Sequence, residues 1–138
     1  MAFATNENLV EYVPDIFDHG VTDWSDELAR AETDVVTQIR IRYWNKMESR
    51  NLFNADRLTP EQWTRSVVYR ALAAHIMPKL STFRVDDVFQ EQIRFYREAY
   101  EEELNTQFAL GIEYDTSGDG TVADSEITEF NIQDRLYR

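Results

Sequence analysis

No cysteine occurs in the 138 residues, which excludes a disulfide framework, a thiolate metal site and a cysteine nucleophile. Glycine and proline are scarce, at four and three. Gly20, Gly111, Gly118 and Gly120 form no phosphate-cradling loop ahead of a helix. The two histidines, His19 and His75, lie far apart and lack the spacing of metal ligands. His75 follows Ala74 on a mostly apolar stretch, where an isolated histidine is expected to be structural. The apolar runs fall far short of the ~18 residues of a membrane span. Residues 1–7 show neither a basic leader region nor an apolar one, so no signal peptide is read and cytosolic synthesis is expected. No nucleophile, base and cofactor loop converge, so an enzyme is not expected.

Basic charge is also in short supply. Fourteen Lys and Arg face 26 Asp and Glu, a net charge of −12. The deficit is local: residues 86–138 hold 14 acids and four bases, residues 1–85 hold 12 and ten. A surface that grips nucleic acid clusters Lys and Arg to neutralise phosphates, and this chain does the reverse. Arg40, Arg42, Arg94 and Arg97 are interleaved with acids and fit amphipathic helix faces better than RNA stacking. What the chain does have is apolar content for one core, 43% of residues, with aromatics at 13%.

Periodicity places that apolar content on helices. Thr5 is a plausible N-cap for a short helix over 5–19, closed near Pro14 or Gly20. Leu28, Ala31, Val35, Ile39, Tyr43 and Met47 recur every three or four residues, predicting a long helix over 25–49 capped by Asp23 or Ser25. Thr59-Pro60-Glu61-Gln62 reads as a capping box with proline at the first helical position. That helix is expected to run from 60 to about 77 and to stop at Pro78. Trp63, Val67, Ala71 and Ala74 form its main stripe, with Val68, Leu72 and Ile76 beside it. A third long helix is expected from Asp86 or Asp87, with Gln90 at capping-box distance. It carries Phe89, Ile93, Tyr96, Tyr100, Leu104 and Phe108 on one face, and Gly111 ends it. Beyond Gly111 the period shortens: Ile112-Glu113-Tyr114 and Thr121-Val122 flank an Asp119-Gly120 turn, predicting a β-hairpin.

The same hairpin contains the sharpest motif in the chain. Residues 115–126 match the twelve-position EF-hand calcium loop: Asp115, Ser117, Asp119, Thr121 through its carbonyl, and Glu126 stand at oxygen-donor positions. Gly120 takes the sharp-turn position and Val122 the apolar one. Ca²⁺ is hard and takes six to eight oxygens, which such a loop supplies. Against this, Gly111 and the β-like 112–114 interrupt the entering helix, the loop is single, and Ser117 replaces a carboxylate. A plain Asp/Ser/Gly-rich hairpin tip and a calcium site both remain open.

Three stretches carry a resemblance. They are the Ala-Thr-Asn-Glu-Asn-Leu opening, the run from Leu58-Thr59-Pro60 to Ala71-Leu72-Ala73-Ala74-His75, and Phe95-Tyr96 to Leu104 followed by Gly111-Ile112 and the Asp-Gly hairpin. In order and spacing the chain resembles the head–tail adaptor (connector) subunits in the neck of tailed bacteriophages, over most of its length. The resemblance implies a virion protein made in the host cytoplasm, without turnover and without a membrane. Its partners would be copies of itself in a ring, usually twelve-fold, the portal protein, and the next neck or tail component. DNA would pass through the channel without specific binding, which the acidic balance suits. The resemblance implies no cofactor; calcium enters only through the loop match.

The expected architecture is mainly α: a small helical bundle of three main helices and a short N-terminal one, with a C-terminal β-hairpin and an extended tail. Residues 1–110 form the helical domain, 111–126 the hairpin and acidic loop, and 127–138 the tail. The expected core is Leu28, Val35, Ile39, Tyr43, Trp63, Val67, Ala71, Ala74, Ile93, Tyr96, Tyr100 and Leu104. Ile127, Phe130, Ile132, Leu136 and Tyr137 make the tail too apolar to be idle, and are the candidate partner-binding residues.

Overall fold

The computed structural model of the chain describes residues 3–44, 55–81, 88–114 and 127–128. It is mainly helical. α1 (Asn6–Tyr12) is followed by a 3₁₀ turn (Ile16–His19), and Gly20 closes that turn in the left-handed conformation, φ 88°. α2 (Ser25–Ile39) continues as a π turn, Arg40–Trp44. α3 (Pro60–Ala71) passes through a second π turn, Leu72–Ile76, into α4 (Met77–Leu80). α5 (Val88–Leu110) is the longest, and the strands β1 (Ile112–Glu113) and β2 (Ile127–Thr128) pair antiparallel after it.

α3 is the central element. Trp63, Ser66, Val67, Val68 and Ala71 are all buried, so apolar contact surrounds most of its circumference. α2 packs on it through Leu28, Ala31, Val35 and Ile39, and α5 through Ile93, Tyr100, Leu104 and Phe108. These are the stripes that the three-and-four spacing predicts, with Tyr96 partly buried at the edge. The side chain of Tyr43 lies outside the described ones.

The N-terminal arm contributes more core than periodicity indicates. Phe3, Ala4, Leu9, Ile16 and Trp24 are buried in the same cluster as the long helices. Polar ties hold the arm. The Phe3 N–H donates to Glu32 Oε1 at 2.6 Å, and its carbonyl accepts from Thr64 Oγ1 at 2.7 Å. Asn6 donates to Asp23 Oδ1 at 2.8 Å and accepts from the Trp24 N–H at 3.0 Å, clamping α1 to the start of α2. Asp23 in turn accepts from the Ser25 N–H, capping α2 from just outside it.

Three expectations are corrected. The helix does not stop at Pro78. Proline lacks the N–H that an α-helix needs there, and the π turn ahead of it shifts the ladder, with the Met77 N–H reaching back to the Leu72 carbonyl. That shift also rotates the stripe: Ala73 is buried, whereas Ala74 is only half-buried. The Thr59–Gln62 capping box is not made; the Gln62 side chain is engaged elsewhere. β1 pairs with Ile127–Thr128, in the register Ile112 opposite Thr128 and Glu113 opposite Ile127, while Thr121–Val122, expected as the second strand, lies outside the described residues. A β-branched pair provides the second strand, in keeping with strand preference. The outer neighbour of β1 is Leu58, bridged to Tyr114. Ile112 and Tyr114 are buried in the helical core, so the segment after Gly111 packs with the helices.

Candidate functional site

The residues expected to touch a partner begin where the strand pair ends. Gly111 turns the chain out of α5 at φ 111°, a conformation that side chains resist. Its N–H donates to the Gln107 carbonyl at 3.1 Å. Gln62, on the first turn of α3, then locks the corner from both sides. Its Nε2 donates to the Gly111 carbonyl at 2.7 Å, and its Oε1 accepts from the Glu113 N–H at 3.1 Å. One side-chain amide thus satisfies two backbone groups that the helix-to-strand change leaves open. β1 then holds β2, fixing where the C-terminal segment starts. Of the candidate contact residues, Ile127 belongs to this ladder by its backbone; Phe130, Ile132, Leu136 and Tyr137 lie outside the described residues.

The candidate calcium ligands Asp115, Ser117, Asp119, Thr121 and Glu126 also lie outside the described residues. Their flanks are informative. Glu113, before the loop, and Ile127, after it, face each other as strand residues. An EF-hand is entered and left by helices. Here both described flanks are extended. Among the described residues, no three His, Asp or Glu side chains gather as a metal site.

A polar cluster that sequence reasoning missed lies between α2, α3 and α5. Asp34 Oδ2 accepts from Arg70 Nε at 2.9 Å and from His75 Nε2 at 2.8 Å. A carboxylate can only accept, so Nε2 carries the proton. Burial alone would raise the Asp34 carboxyl, but the hydrogen bonds and charges of Arg70 and His75 hold it below the usual carboxylate range. The Arg70 guanidinium also lies over the Tyr100 ring at 5.6 Å. Burial raises the Tyr100 hydroxyl, which therefore stays protonated. Thr37, Gln38 and Glu101 line the small cleft beside the cluster. Charge-assisted bonds tie α2 to α3 and the π turn after it, and the Arg70–Tyr100 contact adds α5. No local signal marks it: Arg70 and His75 stand five apart, and their acid lies 36 residues or more away in sequence.

The outer face of α5 forms a further surface. Val88, Phe95 and Leu110 are exposed there, and Glu98 and Glu102 lie among them. Between α5 and Tyr69 of α3 runs an open groove of about 350 Å³, floored by Tyr69, Phe95 and Ala99 and rimmed by Glu98, Glu102 and Glu103. Behind it the rings of Tyr12, Tyr69, Tyr96 and Phe95 touch in series, with centroids 5.1–6.0 Å apart. Burial raises the Tyr69 and Tyr96 hydroxyls, so these rings are neutral. No helix among the described residues is long and apolar enough to cross a membrane. Comparison of the chain with models of protein families, with curated proteins and with solved structures gave no match in any of the three.

Proposed function

We propose that this chain is a head–tail adaptor subunit of a tailed-bacteriophage neck, joining the portal to the next neck or tail component in a ring around the DNA channel, without turnover. One observation carries the proposal: a well-closed helical core is followed by a strand pair, locked by Gln62, at the start of an apolar segment, Phe130 to Tyr137. A subunit built to bridge other proteins needs a rigid body and an anchoring extension, and this order supplies both. The exposed apolar face of α5 supports the reading as a second contact surface. The acidic excess suits a channel past which DNA must slide. The virion neck is the location that follows, with DNA as a passing neighbour.

The test is the native mass of the chain with and without its cognate portal. A multi-copy complex on the portal is expected. A species that stays monomeric and never joins the portal would overturn the proposal. A calcium-binding module at 115–126 is the second reading, resting on the twelve-position match. Its strand flanks depart from a helix–loop–helix hand, so it ranks second.

A further inference from the structure

We propose that the small cleft between α2 and α5, backed by Arg70 of α3, is a binding site for a carboxylate. The proposal stands apart from the neck assignment. The cleft measures about 200 Å³, room for one small polar group, and Asp34, Gln38, Arg70, Tyr100 and Glu101 line it. Tyr100 is 5% exposed, yet its hydroxyl makes no hydrogen bond among the described residues. A phenol carried this far into a protein ordinarily has a partner. The hydroxyl is not sealed off from solvent. Beside burial, the charges that act on it are those of Arg70, Glu101 and Asp34, which wall the cleft, and of Arg42 one turn past Gln38. It therefore opens into the cleft and offers an O–H there.

Arg70 supplies the second group. Asp34 Oδ2 takes its Nε at 2.9 Å, and the guanidinium lies over the Tyr100 ring, 5.6 Å from the centroid. Those two contacts set the plane of the fork. Its two Nη groups make no hydrogen bond among the described residues, and the side chain is 36% exposed. A guanidinium held by Nε presents its Nη pair end-on, the edge that takes two carboxylate oxygens in parallel. Gln38, half-buried and also without a hydrogen bond among the described residues, adds an amide donor from α2. The donors come from three helices that share one packed core, so binding has little to order.

The charges around the cleft nearly balance, in a chain of net charge −12. Arg70 and Arg42, with His75 when protonated, stand against Asp34 and Glu101. Asp34 Oδ2 is already shared by Arg70 and His75. Arg42 donates to the neutral Asn105 and meets no acid among the described residues. Glu101 is the opposing charge, and it is exposed, where water and salt screen it. The unengaged groups that face each other, the Nη pair and the Tyr100 O–H, are donors. They match a planar group with two oxygens, and nothing beside them wraps the further oxygens of a phosphate.

The probe is acetate, titrated into the full chain at neutral pH with chloride holding the ionic strength constant. NMR follows the Gln38 side-chain amide, the Arg70 Nε–H and the Tyr100 ring. Saturable shifts are expected there, half-complete below about 30 mM, an affinity within reach of so small a ligand. The Arg65 Nε–H, which serves Tyr12, should stay still. Tyr100→Phe keeps the ring and its packing and removes only the O–H; it should weaken acetate about five- to tenfold. Arg70→Lys keeps the charge but loses the fork, and should weaken it at least as much. Glu101→Gln should tighten it about two- to threefold. Two blocked peptides separate the sources, one whose only acid is an aspartate side chain and one whose only acid is its C-terminal carboxylate. Whichever binds tighter than acetate is the source, and if neither does, the ligand is a small free carboxylate. Shifts that never saturate sink the proposal. So do acetamide or phosphate acting as strongly as acetate, and a Tyr100→Phe chain that binds acetate as the parent does.

Discussion

At the residue scale, the core is built from side chains whose spacing announces them and from a few whose spacing does not. Trp63, Val67 and Ala71 fall on one helical line and are fully buried. Ser66 sits among them, equally buried, and its hydroxyl has no hydrogen-bond partner among the described residues. A polar atom left unpaired in the core costs free energy, so Ser66→Ala should be neutral or stabilising by up to about 1 kcal/mol, read from urea unfolding. Loss of more than that would mean the hydroxyl is satisfied. Asp34 behaves in the opposite sense. Its folded carboxyl is held below its ordinary value of 3.8, so it contributes stability that is present above that value and is lost as pH falls through the folded one. Asp34→Asn should therefore flatten the acid limb of the stability–pH curve and cost about 1 kcal/mol near neutrality, the pair being partly open to water. A curve identical to the parent's below pH 4 would show that Arg70 and His75 do not load this carboxylate. None of this cluster was legible, because hydrogen-bond partners distant in sequence leave no local pattern.

At the element scale, helix existence was legible and helix endings were not. α2, α3 and α5 follow from three-and-four spacing. Pro78 looks like a terminator, yet two successive devices carry the helix past it: the π turn at Leu72–Ile76 and the placement of Pro78 in the first turn of α4. The π turn is also why Ala73, not Ala74, is buried; one extra residue per turn advances every later side chain. Gln62 was misassigned for a related reason. Its spacing from Thr59 fits a cap, but a stronger demand comes from the two backbone groups at the corner after α5. Gly111→Ala, which forces a side chain into φ 111°, should cost about 1–3 kcal/mol in thermal unfolding. A cost no larger than that of an exposed-loop alanine would show that the corner relaxes freely. The loop between β1 and β2 gives a second measurement at this scale. Flanked by strands, it is expected to bind Ca²⁺ no tighter than about 10⁻⁴ M in calorimetry, the weak end for such loops. A micromolar heat, lost in Asp115→Ala with Glu126→Ala, would restore the calcium module as the leading reading.

At the scale of the whole molecule, the division of labour is between a closed body and what extends from it. The body was largely readable as a mainly helical bundle. The N-terminal arm was underestimated, because Phe3, Ile16 and Trp24 enter the core from turns and irregular chain where no period marks them. The strand at Ile112–Glu113 was readable, but its partner at Ile127–Thr128 was not, since a two-residue β-branched pair far along the chain carries no local turn signal. The same pairing makes the joining role testable by truncation. A chain ending at Thr128 keeps β2, Gln62 and the corner at Gly111, so every described tie of the body survives. If residues 129–138 serve a neighbour, removing them should change unfolding stability by less than about 1 kcal/mol while portal association falls at least tenfold. Should the truncated chain lose several kcal/mol, Phe130, Ile132 and Leu136 are core of their own subunit, and an anchoring segment must be sought elsewhere. Restoring the tail with Phe130→Asp and Leu136→Asp sharpens the comparison, because length and backbone are then kept and only the apolar contact is withdrawn.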